Sequence, residues 1–481
     1  MTYDLVPHIP ALRFGRPYES LDVGEVKDCR SGRTLARLSL ANGGLVRRDL
    51  LFKQDAAFEA LQRLPVAALL EACAKAGELF MRAELPLGAG HVQSPERYVE
   101  TLSATSGLPH NMCRANMEKI HHVLTKMPTI LKGLTRGMDL SVLDRGVGEQ
   151  SGVPVCYVPM GKSLGVVLPS NSPGVNSLWL PAVALKIPVV LKPGREEPWT
   201  PWRLVQALVA AGLPAEAFGF FPCDHDGADA ILRFCGRGMV FGDEKTVAKY
   251  AANPGIQPHG PGYSKILIGL DEIENWRAHL DVLVQSILAN GGRSCVNASA
   301  VLVPKHGRAI AEALAERLGP VAPRPPADPE ARLSAFANPA FAEYIDGAIE
   351  DGLRVKGAED LAARFRGGPR KALFEGSTYL RPTVVWCDSF EHPLANREFL
   401  FPYASVLEVP QEQAVRALGP SLVVSAITRD EGFMRELLLA SHIDRLNLGP
   451  VPTVSVSWDQ PHEGNLFEFL YHRRAIQRVG A

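Results

Sequence analysis

The stretch with the most chemical content is residues 290–297, NGGRSCVN. Cys295 follows a pair of glycines and precedes an apolar, small-residue run, 296–303. A thiol acts as a nucleophile when it is a thiolate, and a basic neighbour such as Arg293 lowers its pKa. Gly291 and Gly292 can adopt positive φ and let backbone come close to a ligand. Upstream, residues 281–289 (DVLVQSILA) carry apolar side chains at the spacing of a helix packed on a core. The expected picture is a helix, a glycine turn, an exposed thiol and then a strand. A buried structural cysteine is the plain alternative, since free cysteine is among the most buried residue types.

Other chemically suggestive groups carry less. His121–His122, Cys223 with His225, and His462 with Glu463 make no HExxH or ligand cluster, so no metal site is expected. The eight cysteines form no CxxC and no regular framework, which fits reduced thiols in a cytoplasmic setting. A formal net charge of -1 gives no reason to expect nucleic acid or an anionic membrane as partner. No apolar run reaches the ~18 residues of a membrane span. The opening MTYDLVPHIP lacks the charged-then-apolar pattern of a leader, so none is expected.

The 481 residues suffice for two or three domains around sizeable cores. Residues 1–60 read as short strands and turns, with a hairpin turn at 30–33 (RSGR). Helical spacing covers 65–85 and 112–134, and Ser94-Pro95-Glu96 starts another helix. Residues 138–162 read as two strands around the polar turn EQSGVP, a hairpin of the kind that pairs with another subunit. From 164 onward strands and helices alternate. LGVVLP (164–169) is a strand, 177–185 a helix, PVVLK (188–192) a strand, 198–211 a helix and GFFP (219–222) a strand. A helix at 228–234, a strand at 238–241 and a helix from 244 to 252 continue the series. Such alternation predicts a parallel sheet with helices on both faces. No GxGxxG follows any of these strands, so the usual dinucleotide fingerprint is absent. A second α/β region follows, with strands at 264–269, 301 onward, 379–386, 404–409 and 422–427. The tail alternates at Val454, Val456 and Trp458, then runs into DQPHEGNLFEF, for which the sequence offers no chemistry beyond a subunit contact.

Taken together, PMGKSLGVVLPSNSPGVNSLWLPAVALKIPVVLKPGREEPWTP, HGPGYSKILIG, NGGRSCVNASAVLV, NREFLFPYASVLEV and SLVVSAITRDEG…RLNLG resemble the aldehyde dehydrogenase superfamily over nearly the full chain. The resemblance implies an α/β fold of two Rossmann-like domains with a small β oligomerisation element. It places a cofactor-binding domain at 1–137 and 158–268, a catalytic domain at 269–448, and the oligomerisation element at 138–157 and 449–481. It puts Cys295 at the family's nucleophile and Asn171 at the asparagine whose amide serves the oxyanion hole. Lys192 falls where a lysine meets the adenosine ribose, with Leu168, Pro169 and Ser170 lining the cofactor. Gly242 matches the glycine near the pyrophosphate, and Glu398 the glutamate on the nicotinamide ribose.

Three positions depart from the family. His259, in HGPGY, stands where the family has its water-activating glutamate, and no carboxylate lies in residues 255–269. Arg195 stands where many NAD-using members have a glutamate, and its fork suits a 2′-phosphate, so NADP is the expected cofactor with NAD also acceptable. Asp243 follows Gly242 where a serine is usual; it suits a helix cap and repels a phosphate. The missing glutamate is closest to the CoA-acylating aldehyde dehydrogenases and acyl-CoA reductases. The expected reaction is therefore reversible interconversion of an aldehyde and an acyl-CoA, with CoA as cosubstrate. Two alternatives stay open: a hydrolytic dehydrogenase using His259 as base, and a catalytically silent structural homologue. The expected assembly is a homodimer or homotetramer.

Overall fold

The structure, a computed structural model, describes residues 6–477. The chain divides into two compact units. The first takes the residues up to Thr105, Cys113–Gly260, and those from Ser457 onward; the second takes Ser106–Met112 and Pro261–Val456.

The first unit holds a seven-stranded sheet. Its strands are β1 (Ala11–Arg13), β2 (Arg16–Tyr18), β3 (Leu164–Val167), β4 (Val189–Lys192), β5 (Phe218–Phe220), β6 (Arg237–Phe241) and β7 (Ile256–His259). Their order is β7-β6-β3-β4-β5-β1-β2, with the five from β7 to β5 parallel. Strands β3, β4 and β5 are short, apolar runs buried on both faces, as parallel strands covered by helices must be. Helix α1 (Gly43–Gln62) begins where Asn42 accepts a hydrogen bond from Leu45 N at 2.8 Å. Its Val46, Leu50 and Ala57 pack with Val190 of β4 and with Ala230 and Ile231. Those last two lie on α3 (His225–Phe234), while α2 (Trp199–Ala210) is buried along most of its length. Helix α4 (Glu244–Tyr250) follows β6.

The chain steps from β3 to β4 to β5 on one side, then returns to place β6 and β7 on the other side of β3. The order therefore reverses between β3 and β6. In open α/β sheets ligands bind at such a switch point, outside the carboxyl ends of the strands.

The second unit holds another seven-stranded sheet, of β8 (Lys265–Ile268), β9 (Ala300–Val303), β10 (Ala358–Asp360), β11 (Thr383–Cys387), β12 (Tyr403–Glu408), β13 (Ser421–Ile427) and β14 (Ile443–Leu448). The order is β10-β11-β12-β9-β8-β13-β14, parallel except for β10. Helix α5 (Leu280–Leu288) buries Leu283 and Ile287 in the core that also takes Ile266, Val301 and Val406.

Several elements differ from the reading of the sequence. Residues 142–145 form a helical turn, not strand. Asp144 accepts from Val66 N at 3.1 Å and pairs with Lys186 at 2.5 Å, which ties this turn inward. The hairpin is the shorter pair Gly148–Gln150 and Val153–Val155. A 3-10 turn, Pro173–Leu178, precedes a short helix, Leu180–Ala184, in place of one helix over 177–185. Residues 379–386 split at Arg381-Pro382, since proline donates no ladder bond. The alternating tail at 454–458 is not a strand, and Pro450 and Pro452 precede it. The tail instead ends in the helix Leu466–Leu470 and the strand Tyr471–Arg473, which pairs with Tyr157–Pro159. Strand β7 was not expected; its only apolar residue besides the proline is Ile256.

Candidate active site

In the first unit the residues singled out by sequence gather at the carboxyl ends of the parallel strands. Residues 168–171 follow β3, Lys192 ends β4 with Arg195 just beyond, Gly242 follows β6, and His259 ends β7. Leu168 N donates to Lys192 O at 2.9 Å, so the two turns are pinned together. Ser170 Oγ accepts from Glu196 N at 3.2 Å. A Cβ on Gly194 would meet the Pro169 carbonyl, so only glycine lets these turns close. Lys192 is partly buried, and burial lowers its pKa. Arg195 is exposed, whereas Glu197 is turned inward and accepts from Thr200 N at 2.8 Å. Burial raises the Glu197 carboxyl to about 8 against the pull of those Thr200 bonds.

Asp243 caps α4, accepting from Thr246 N at 2.9 Å and Thr246 Oγ1 at 2.8 Å. Those bonds lower its pKa. They satisfy one of its carboxylate oxygens within its own helix. Gly242 N donates to His259 O at 3.0 Å, joining the ends of β6 and β7.

His259 is almost fully buried. Its ring stacks on Phe241 with centroids 4.6 Å apart and planes 15° from parallel. Nδ1 hydrogen-bonds the carboxylate of Glu463, a residue for which sequence reasoning found no role. The carboxylate accepts, so Nδ1 carries the proton.

In the second unit three consecutive left-handed residues precede the thiol: Asn290 (φ 53), Gly291 (φ 65) and Gly292 (φ 67). A side chain on Gly292 would strike the backbone of Phe401 and Pro402. Asn297 fastens the far side, its Nδ2 donating to Ser286 O at 3.0 Å and Ala289 O at 2.9 Å. Ser264 Oγ donates to Cys295 O at 2.8 Å. The Cys295 side chain is partly buried, not exposed as expected, and packs with Val296, Leu422, Val423 and Val454. Arg293 Nη1 donates to Ser106 O at 2.7 Å. Arg445 on β14 is coupled to the thiol through its charge, and it also donates to Ser455 O at 2.7 Å.

Glu398 precedes β12 and accepts from Tyr263 N at 2.7 Å. Burial raises its carboxyl to about 7, while the backbone N–H bonds and Lys265 oppose the shift. Lys265, on β8, is fully buried; burial lowers its amine to about 8. Its Nζ donates to Tyr263 O at 2.6 Å. A lysine opening the apolar run KILIG was the available signal for this pair; Arg445 and Glu463 gave none.

The sequence model of the aldehyde dehydrogenase family matches residues 91–418. The chain belongs to that family. An aminoacetaldehyde dehydrogenase from Pseudomonas aeruginosa is 27% identical over 310 residues, covering 61% of this chain and 60% of the relative. The matched part thus spans about three fifths of that relative's length. A 2-hydroxymuconic semialdehyde dehydrogenase from Pseudomonas putida is 24% identical over 444 residues, with 83% of each protein covered. Among solved structures, an indole-3-acetaldehyde dehydrogenase in complex with NAD+ superposes with TM-score 0.80 at 17% identity, covering 98% of this chain and 96% of that one. The fold is thereby that of the aldehyde dehydrogenases: α/β, with two Rossmann-like sheets. No helix of the described residues is long and apolar enough to cross a membrane.

Proposed function

We propose that the protein oxidises a small aldehyde with NAD(P)+ through a thioester on Cys295. The observation that carries this reading is the left-handed turn at 290–292, which presents a partly buried thiol coupled to the charge of Arg445. A nearby cation favours the thiolate. Two features at the β3–β6 switch point fit a dinucleotide, a glycine-closed pair of turns and a partly buried Lys192, while the Asp243 carboxylate that caps α4 opposes a phosphate there. Bound there, NAD(P)+ supplies the hydride acceptor.

The chain's own part begins with the Cys295 thiolate adding to the aldehyde carbonyl carbon. The Asn171 amide donates to the oxyanion that forms, a role taken from the family resemblance. When the hydride has left, the oxyanion collapses to a carbonyl and the acyl group stays on Cys295 as a thioester. Exposed Arg195 favours the 2′-phosphate of NADP.

The acyl acceptor is either CoA or water. The absence of a carboxylate at residues 255–269 first favours CoA. The hydrogen bond from His259 to Glu463 favours water, because it supplies a base where the carboxylate is missing. We take water as the acceptor and a carboxylic acid as the product. Residues 138–157 and 449–481, the last four of which lie outside the described residues, serve in this reading as the subunit contact of a homodimer or homotetramer, and light scattering tests that assembly.

A rapid-mixing experiment tests the reaction. A panel of small aldehydes is mixed with enzyme and NAD+ or NADP+, and reduced cofactor is followed. A burst of reduced cofactor and an acyl adduct on the Cys295 peptide by mass spectrometry are expected. No reduction with any aldehyde and either cofactor would reject the reading.

A further inference from the structure

Strand β8 opens on a lysine that does not reach water. Lys265 is fully buried, and its Nζ donates to Tyr263 O at 2.6 Å and to Ser421 Oγ at 3.1 Å. Lysine is almost never fully buried unless its amine is held, so what this one binds calls for an explanation. Glu398 takes the other end of the same residue, accepting from Tyr263 N at 2.7 Å and from the N–H of Gly262. Tyr263 thus has its N–H bound to a buried acid and its C=O bound to a buried amine.

Tyr263 is a residue in need of such bonds. Its φ is 45, left-handed for a large side chain without the freedom of glycine. A backbone of that kind persists only where its surroundings over-determine it. Its neighbours on both sides meet the nucleophile turn. A Cβ on Gly262 would strike the Cys295 carbonyl oxygen, and Gly262 O accepts from Leu422 N at 2.7 Å. Ser264 Oγ donates to Cys295 O at 2.8 Å, while Ser264 O accepts from Ser299 N at 2.8 Å. The Cys295 carbonyl therefore rests against a stretch of backbone whose path is set at Tyr263. All of these residues belong to the second unit.

We propose that Lys265 and Glu398 are positioning residues for Cys295, clamping Tyr263 in the left-handed conformation that lets Gly262 and Ser264 seat the Cys295 carbonyl. Glu398 then serves the nucleophile turn, and not the nicotinamide ribose that the family resemblance implies. This rests on the reading of Cys295 as the nucleophile. Both side chains act through the backbone of residues 262–264. Seated, the thiol keeps its coupling to the charge of Arg445. Released, it loses the help of that cation and ionises at higher pH.

Alkylation of Cys295 by iodoacetamide, followed against pH by mass spectrometry of its peptide, reads the seat without aldehyde or cofactor. Lys265→Met and Glu398→Leu remove charges of opposite sign at similar volume. Acting on the thiol through charge alone, they would move the alkylation midpoint in opposite directions. Loss of a shared clamp moves both midpoints upward, by about half a pH unit or more. Both variants should also lose about tenfold or more in the rate constant of the burst of reduced cofactor. Their cofactor dissociation constants should stay within about threefold of the parent. Glu398→Gln, whose amide oxygen can accept from Tyr263 N, should recover most of what Glu398→Leu loses. Tyr263 is only partly buried, so its variants give the answer if the others do not fold. Tyr263→Val, β-branched and poorly suited to positive φ, should lose more of the burst rate than Tyr263→Gly. Midpoints that stay in place or move apart would overturn the proposal, as would equal burst rates in Tyr263→Val and Tyr263→Gly. A tenfold loss of cofactor affinity in Glu398→Leu, about the size of one charge-assisted bond, would return Glu398 to the ribose. Upward midpoints in both variants of an enzyme that gives no burst and no acyl adduct keep the clamp and remove the thioester reading.

Discussion

The candidate site residues fall at opposite edges of the two sheets. In the first, residues 168–171, Lys192, Gly242 and His259 all come after their strands, at the carboxyl edge. In the second, Tyr263, Cys295 and Glu398 come before β8, β9 and β12, at the amino edge. A turn that leaves a parallel strand and enters a helix brings free N–H groups with it, so a carboxyl edge is suited to anions by backbone alone. An amino edge has no such gift. There the second unit uses a run of left-handed residues, the Asn297 clasp, and the bonds of Glu398 and Lys265 to the Tyr263 backbone to fix its groups. The first edge is suited to holding a cofactor, and the second to holding a nucleophile in place.

The sharpest division between the edges comes from Cys295→Ala. Turnover should fall by at least ~10⁴-fold, while the cofactor dissociation constant, proposed to be set at the other edge, should move by less than about threefold. A parallel loss of cofactor affinity, seen by fluorescence titration, would dissolve the division of labour. Asn171→Ala asks whether the first edge also contributes to chemistry. A drop of ~100- to 1,000-fold in kcat with little change in cofactor affinity is expected, the size of one lost oxyanion donor. Equal losses in affinity and rate would make Asn171 a cofactor residue only. Arg195→Glu tests the anion preference of the carboxyl edge. The ratio of NADP to NAD affinity should fall about tenfold or more, as expected for a lost charge-assisted bond. An unchanged ratio in competing titrations would reject Arg195 as its source.

The smallest effect concerns stability. Glu197 is buried, and its folded-state pKa of about 8 lies above its ordinary 4.5. A raised acid favours the fold while protonated. Its contribution is complete below pH about 4.5 and is lost as pH rises through about 8. Glu197→Gln does not titrate, so the melting temperature of the variant should gain on the parent across that window. A constant difference between the two melting curves would show that Glu197 ionises as it does in the unfolded chain.

The central strands of both sheets were legible, because apolar runs such as LGVVL and PVVLK are bounded by proline and glycine, whereas β7, β10 and β14 were not. Cys295 and its turn were legible for a related reason: glycine pairs report positive φ, and Gly291 and Gly292 have it. The helical turn at 142–145 was not legible, because it is fixed by contacts of Asp144 with Val66 and Lys186, far away in sequence. Strand β7 was hidden by its composition, IQPH, which lacks the apolar density of its neighbours. The partner of His259 was out of reach for the same reason as Asp144. No local pattern links positions 259 and 463; only the fold does.

That last separation has a meaning in time. The two residues lie 204 positions apart in the chain. At a synthesis rate of about 5–20 residues per second, His259 leaves the ribosome roughly 10–40 s before Glu463 does. During that interval β3 to β7 are all present, and so is the whole second unit by its end. The imidazole must wait on an edge strand with no carboxylate to bond. The contact between the tail and the side chains of β7 can therefore form only after both sheets have been synthesised.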